Sequence, residues 1–380
     1  MIITLLQISL LLLAAAYAGV LWGIARSWRR QVAAPLAAAA QETNLPLLTV
    51  LIPARNEAAG IEQCIHAVLA QDYPRELLEV IVIDDHSTDT TAALVTALAD
   101  DRVQLLRLSD IPGSPTGKKA ALQAGIDQGR GAFIVTTDAD CRAPAGWLRA
   151  FARARAQGYE MVLAPVSIAY SPGLLTAWQG LDVAGTMLLT GAAAASGKPL
   201  LANGANFGFT PTFFAALGGY TGNDHRASGD DLFLLQKAVA QRPAALTFLY
   251  VAEALVTTAA APTWCSLFWQ RLRWAAKTTA YRDRRLVAFQ AAVYLLCASL
   301  CLGLAVAWWF PGVCAALLAS WLIKLGADFF FLRYACRQVG DRRWLRWFLL
   351  AQPLHTGYVF LVGSLALLPI HFYWKGRRVK

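Results

Sequence analysis

Residues 1 to 25, MIITLLQISLLLLAAAYAGVLWGIA, contain no charged side chain, and that run limits the possible folds more than any other feature of the chain. At 1.5 Å of rise per residue, a helix of this length crosses a hydrocarbon layer about 30 Å thick. Only a helix or a closed barrel satisfies its backbone polar groups in such a layer, so the run is expected to be a helix. A cleavable signal peptide competes for the same stretch, and AAAYA resembles a cleavage site. A signal carries its basic residues ahead of its apolar core, whereas Arg26, Arg29 and Arg30 follow it here. The segment therefore reads as an uncleaved anchor with its C-terminal side in the cytoplasm.

Three more apolar runs, about 286 to 309, 311 to 332 and 347 to 372, crowd the other end of the chain. They account for a hydrophobic content of 57%, high for a soluble protein. The expected organisation is an anchor at 1–25, a globular domain at 45–260, interfacial helices at 261–285, a membrane region at 286–372 and a basic tail at 373–380. The net charge of +10 comes partly from Arg282, Arg284, Arg285, Arg342, Arg343, Lys375, Arg377 and Arg378, which border the apolar runs. Anionic headgroups explain these better than nucleic acid, so membrane lipids are expected partners and nucleic acid is not. Lys324 and Asp328 lie four apart in an apolar run and are expected to pair on one helix face. With four spans, the terminal KGRRVK would lie outside, against the positive-inside tendency; Pro353 and His355 raise the alternative that 347–372 is broken or re-entrant. Cys64, Cys141, Cys265, Cys297, Cys301, Cys314 and Cys336 include no C-x-x-C pair and no zinc-like spacing, so neither a disulfide framework nor a metal cluster is indicated.

The intervening stretch alternates strand-like and helix-like segments. LPLLTVLIPARNE leads into Ile61, Ile65, Val68 and Leu69 at helical spacing; LLEVIVIDDHSTD leads into TTAALVTALA; and KKAALQAGIDQG precedes AFIVTTDAD. This period implies an α/β fold, a parallel sheet with crossover helices, whose chemistry sits where turns leave the strand C-termini. Those ends carry Arg55, Asn56 and Glu57, then Asp84 and Asp85, then Asp138 and Asp140. One acid after a strand is an ordinary helix cap, as Ser87, Thr88 and Asp89 also are. Acids ending three neighbouring strands converge on one edge and repel there, which calls for a cation or hydrogen-bond donors. Neither G-x-G-x-x-G nor G-x-x-x-x-G-K-[ST] occurs, which disfavours dinucleotide and P-loop sites.

VLIPARNE, VIVIDDHSTD, GKKAAL, TTDADC, GANFGFTPTFFAALGGY, SGDDLFLL and QRLRW appear in that order over about 45 to 285. In this the chain resembles the membrane-bound family 2 glycosyltransferases, which have the GT-A fold, a Rossmann-like, mostly parallel sheet. The resemblance implies transfer from a nucleotide-sugar, with a UDP-sugar the expected donor, to a lipid or glycan acceptor at the cytoplasmic face of a bacterial-type inner membrane. It also implies roles. Glu57 and Asp85 lie near the base and ribose, Lys118 near the diphosphate, Asp138 on the nucleotide, and Asp140 on a Mg²⁺ or Mn²⁺ ion that stabilises the leaving diphosphate. Asp230 and Asp231 match the E-D element, with Asp231 as general base for an inverting attack and Asp230 supporting it. Asn203, Gly204, Asn206 and Gly208 match the loop lining the sugar and acceptor pocket, Asn206 being assigned to the acceptor. Gln270, Arg273 and Trp274 match Q-x-x-R-W, with Arg273 on the donor and Gln270 and Trp274 on the acceptor. Where many relatives have Gly after the second Asp of the earlier turn, this chain has His86. Competing expectations are a processive polysaccharide synthase, disfavoured by so few membrane segments, and a non-catalytic carrier or flippase subunit, disfavoured by the full set of acids.

Overall fold

The computed structural model describes residues 2–32, 44–197, 199–222, 229–275, 283–368, 372–374 and 377–379. The chain divides into a sheet unit, Arg30–Ser167, Thr190–Ala259 and Tyr373–Lys380, and a helical unit, Met1–Arg29, Ile168–Leu189 and Ala260–Phe372.

In the sheet unit, β1 (Leu48–Ala54) and β2 (Leu78–Asp84) are nearly unbroken apolar runs. Every residue of β2 is buried, and Pro53 alone in β1 is not fully so, as befits parallel strands with both faces covered. They pair in parallel from Leu48 opposite Leu78 to Ala54 opposite Asp84. β3 (Val103–Arg107) adds in parallel to β2, and β4 (Phe133–Thr136) to β1. The crossovers carry α2 (Ile61–Leu69), α3 (Thr91–Ala97) and α4 (Lys118–Gln128). Beyond β4 the sheet turns mixed. With β6 (Met161–Leu163), β8 (Phe207–Phe209) and β9 (Leu246–Phe248), the seven strands run in the order β3-β2-β1-β4-β8-β6-β9, and β8 is antiparallel to both its neighbours. Gly208 is required at the centre of β8, because a Cβ there would stand 2.5 Å from Phe133 and 2.9 Å from Phe151. A smaller sheet joins β5 (Cys141–Arg142), β10 (Val256–Thr258) and β7 (Val166–Ile168). β5 continues directly from the Asp138–Asp140 turn, so the small sheet anchors that turn from its far side.

The helical unit holds most of α1 (Ile2–Val32), α6 (Leu174–Ala195) as far as Leu189, and α9 (Trp264–Ala275), α10 (Arg284–Trp309), α11 (Cys314–Gln338) and α12 (Phe348–Ala366). Residues 168–189 thus leave the 45–260 stretch. Across its 22 residues, α6 carries a single charged side chain, Asp182, a composition suited to an apolar helical surround. Among the described residues, four helical segments, Ile3–Gln31, Arg284–Trp309, Pro311–Gln338 and Arg342–Ala366, are long and apolar enough to cross a membrane. Pro353 lies inside α12 without ending it, so 348–366 forms a continuous helix. The Lys324 ammonium meets Asp328 at 2.6 Å and Gln352 Oε1 at 3.2 Å, and Tyr17 Oη donates to Asp328 at 2.5 Å. Each buried charge therefore has a polar partner, the condition under which such burial is tolerated. Arg282, Lys375, Gly376 and Lys380, from the segments read as membrane-flanking or tail, lie outside the described residues.

Candidate active site

The strand ends meet as the β-α alternation implies. After β1, Arg55 Nη1 donates to the Asp85 carbonyl at 2.9 Å, the Asn56 N–H donates to Ser87 Oγ at 3.0 Å, and the Glu57 N–H donates to Thr91 Oγ1 at 2.8 Å. In return, Asn56 Oδ1 accepts from the Thr88 N–H at 2.8 Å. The first two acidic turns are thereby tied to each other. The carbonyl of Glu57 receives the N–H groups of Gly60 and Ile61 at 3.0 Å and starts α2. Asp84 accepts from the Ser87 N–H at 3.0 Å, and Asp85, almost wholly buried, accepts from the Gly117 N–H at 3.0 Å. His86 adopts φ +58°. It takes the left-handed conformation glycine would supply, at a cost of about 1 kcal/mol, and its Nδ1 lies 3.2 Å from Asp85 Oδ1. The turn keeps its shape without the glycine.

A second cluster forms around the D-x-D. Lys118, the first residue of α4, follows Gly117 at φ +108° and places its ammonium 2.5 Å from Asp138 Oδ1. Burial works against the charged lysine, but Asp138, Asp230 and Asp231 outweigh it and raise its pKa above the usual value. Asp230 and Asp231 open α8 (Asp230–Gln241), entered through Gly229 at φ +90°. Asp231 accepts from the Gly204 N–H at 2.8 Å and the Leu232 N–H at 2.7 Å. A Cβ on Gly204 would stand 3.0 Å from Asp230 Oδ2 and 3.4 Å from Lys118 Nζ. Gly204 is thus the point at which Lys118, Asp230 and Asp231 close on one another, and Thr136 of β4 holds its carbonyl at 2.8 Å.

Asp140 is compensated differently. The residue reaches solvent, yet the walls around its carboxyl and the neighbouring Asp138 charge raise its pKa, while the Thr258 hydroxyl and the Cys141 thiol oppose that rise. Among the described residues no group of three or more His, Cys, Asp or Glu side chains is placed to hold a metal. Two carboxylates from a D-x-D do not make a closed zinc site. They do suit a hard cation that keeps waters and draws its remaining oxygens from phosphates, as Mg²⁺ does.

Two sequence expectations require correction. Asn206 is fully buried: its Oδ1 accepts from Trp147 Nε1 at 2.8 Å, and its Nδ2 donates to the carbonyls of Pro165 at 2.6 Å and Ala254 at 2.7 Å. An amide so engaged has nothing to offer an acceptor. It ties β8 to the segments before β7 and β10. Gly208 likewise serves packing. Gln270, Arg273 and Trp274 lie on α9 in the helical unit. One face of Trp274 is covered by the Arg271 guanidinium, 4.3 Å from the ring centroid. Arg271, unassigned by sequence, is 4% exposed and pairs with Asp182 at 2.9 Å. The signal for that pair was Asp182 itself, a lone carboxylate in an apolar helix. A cavity of about 350 Å³ at the opposite edge of the sheet is lined by Arg75, Glu79, Asp101 and Arg130. Its charges pair with one another, leaving the acid-rich edge as the candidate site.

A mixed sheet with acids gathered at the C-terminal ends of its parallel strands is an α/β arrangement in which ligands bind at that edge. Residues 49–201 match the family model described as Glycosyl transferase family 2. Glycosyltransferase AglE of Haloferax volcanii is 34% identical over 134 residues, covering 34% of this chain and 43% of that one. The GalNAc(5)-diNAcBac-PP-undecaprenol beta-1,3-glucosyltransferase of Campylobacter jejuni is 32% identical over 120 residues, 31% of this chain and 37% of that one. The match spans less than half the length of either relative. Among solved structures, mannosyltransferase PcManGT from Pyrobaculum calidifontis, in complex with GDP-Man and Mn2+, aligns with a TM-score of 0.57 and 22% identity over 94% of this chain and 99% of that one. The fold is GT-A.

Proposed function

We propose that the chain transfers a sugar from a nucleotide-sugar, with a UDP-sugar the first donor to test, to a lipid or lipid-linked acceptor at the cytoplasmic membrane face, inverting the anomeric carbon. The observation that carries this reading is the convergence of Lys118, Asp230 and Asp231 at Gly204, with the D-x-D adjoining through the Lys118–Asp138 pair. Glu57, Asp85 and Asp138 hold the nucleoside. Asp140 binds the divalent cation, which supplies positive charge to the departing diphosphate. Lys118 adds a second positive charge beside that diphosphate, and Arg273 of α9 is assigned to the donor by its place in Q-x-x-R-W. Asp231 takes the acceptor hydroxyl proton as the new C–O bond forms and the bond to the diphosphate breaks. Asp230 keeps Lys118 and Asp231 in register. Gln270 and Trp274 position the acceptor.

The membrane-capable helices and the names of relatives that act on undecaprenol-linked substrates support a lipid-anchored acceptor. The test is to reconstitute the full chain in lipid, add Mg²⁺ or Mn²⁺ and labelled UDP- and GDP-sugars, and separate the products. A labelled lipid is expected. A long polymer would overturn the acceptor class, and transfer that survives Asp231→Asn would overturn the assignment of the base.

A further inference from the structure

Three helices of the helical unit share one axis. Gln7 Nε2 of α1 donates to the Gly312 carbonyl at 2.7 Å, Ala14 packs in one cluster with Leu317, Tyr17 Oη meets Asp328, and the Arg29 guanidinium lies 5.0 Å from the Tyr334 ring. α1 and α11 therefore run side by side in parallel. α10 is antiparallel to them: a Cβ on Gly303 would stand 2.8 Å from Leu317, and further back along α10 Val293 lines one cavity with Asp328. The same axis orders the side chains at its ends. Arg26 and Arg29 of α1, Arg284 and Arg285 of α10, and Arg333 and Arg337 of α11 stand at one end, and exposed Trp308, Trp309 and Phe310 at the other. Basic residues on one side and interfacial aromatics on the other fit helices that cross a bilayer.

α12 does not follow this axis. Near its start the Phe348 and Phe329 ring centroids lie 5.3 Å apart, and Gln352 Oε1 lies 3.2 Å from Lys324 Nζ. From Gln352 to Ser364 a helix rises about 18 Å, which along the axis would bring Ser364 level with the Pro311–Val313 turn. Instead Ser364 Oγ lies 2.9 Å from Tyr294 Oη, the Phe360 and Tyr294 ring centroids lie 6.5 Å apart, and a Cβ on Gly363 would stand 2.6 Å from the Tyr294 ring. Tyr294 adjoins Val293, at the level of Asp328, so Ser364 is no deeper in the bundle than Gln352. α12 thus lies across α10 and α11. Asp328 stands about 8 Å along the axis from Arg333, a depth at which an in-plane helix buries its apolar face. Leu350, Leu354 and Leu361 share one face of α12 by their spacing and are exposed, whereas Gln352 and Thr356 on the opposite face are buried. No Asp, Glu, Lys or Arg occurs from Phe348 to Ala366, so hydrocarbon is the neighbour that fits the exposed face.

We infer that within these residues the chain crosses the membrane by α1, α10 and α11 only, and that α12 is an in-plane helix at the basic end, its Leu350, Leu354 and Leu361 face laid against the acyl chains of that leaflet. Arg377 and Arg378 then emerge on the same side as Arg26 and Arg29, in keeping with the positive-inside tendency that a fourth crossing would break. Neither statement depends on sugar transfer.

The test has two parts, both on the full chain. A C-terminal epitope tag is exposed to protease in right-side-out and inside-out vesicles of a bacterial inner membrane, and is expected to be removed only from the inside-out ones. A membrane-impermeant maleimide should meanwhile label exposed Cys314 in right-side-out vesicles, with the label lost in Cys314→Ser, which marks the α10–α11 turn as lying on the other side. In the second part, Leu350→Cys, Leu354→Cys and Leu361→Cys are spin-labelled one at a time in a Cys265→Ser, Cys314→Ser background, and their depth in nanodiscs is read from collisions with oxygen and with a nickel chelate. An in-plane α12 gives the three labels one depth, whereas a crossing helix carries Leu354 about 6 Å deeper than Leu350. Removal of the tag from right-side-out vesicles, an unlabelled Cys314, or that difference in depth would overturn the inference. The depth series decides the matter even where the tag resists protease.

Discussion

Replacing Lys118 with methionine removes the ammonium that faces Asp138, Asp230 and Asp231 together while nearly conserving side-chain length. Breaking a buried ion pair costs about 3–5 kcal/mol, and breaking a surface one costs about 0–1 kcal/mol. Lys118 is 22% and Asp138 39% exposed at the side chain, so solvent screening places the expected loss between these, at about 2 kcal/mol near pH 7.5. The pH dependence identifies the cause. The lysine's pKa is raised in the folded state, so its contribution is fully present below the unfolded-state value of about 10.4 and is lost only above the folded one. The unaltered chain therefore carries that contribution unchanged from pH 5 to 8. In Lys118→Met the acid cluster lacks its cation, and the native state holds protons more tightly than the unfolded chain. Its stability should then rise on acidification, by up to about 1.4 kcal/mol per pH unit for each proton so held. Thermal unfolding of the full chain in one detergent at pH 5, 6.5 and 8 reads this directly. A Tm deficit of roughly 4–8 °C at pH 8 should shrink by half or more at pH 5. A deficit that stays constant across the series would show that Lys118 acts by packing and refute the electrostatic account.

Asp140→Asn removes a carboxylate whose pKa is raised in the folded state, so it should leave the cation-free protein as stable as the original, or up to about 1 kcal/mol more stable, above pH 6, while calorimetry shows loss of cation-dependent nucleotide binding. Asp231→Asn should retain donor binding but lower kcat by on the order of 10² or more; lost donor affinity with an intact circular dichroism spectrum would contradict its role as base. Asn206→Leu orphans Trp147 Nε1–H and the carbonyls of Pro165 and Ala254, so it should cost about 3 kcal/mol or more in stability, measured by chemical denaturation, and a well-folded variant with impaired acceptor use would restore Asn206 to the pocket.

The parts of this fold that could be read from sequence are those that period and composition encode. LTVLIPA and LEVIVID are mostly apolar because β1 and β2 are covered on both faces, and acids at the ends of such runs stand at one sheet edge by topology alone. β8 escaped because three residues, Phe207–Phe209, are too few to show a period. Asn206 is assigned to the pocket through its place in GANFGF, by resemblance alone. Its three buried partners come from positions 41, 48 and 59 residues away, and no local pattern records such closures. The Arg271–Asp182 pair escaped for the same reason: a lone carboxylate in an apolar helix signals a partner, but no local pattern says which basic residue it meets.

The acids that look alike in sequence separate once their partners are counted. Asp84 receives a backbone N–H, Asp85 a backbone N–H and an imidazole, and Asp231 two backbone N–H groups. Asp138 receives an ammonium. Asp140 is met by the Thr258 hydroxyl and the Cys141 thiol, which are weaker than a charged donor. Asp140 thus lacks the ammonium that Asp138 has, so on the proposed reading a cation arriving with a diphosphate meets less competition there. At Asp138 the same cation would first have to compete with Lys118. The different parts proposed for the two aspartates of TTDADC rest on this difference, that α4 begins with a lysine paired to the first of them and not to the second.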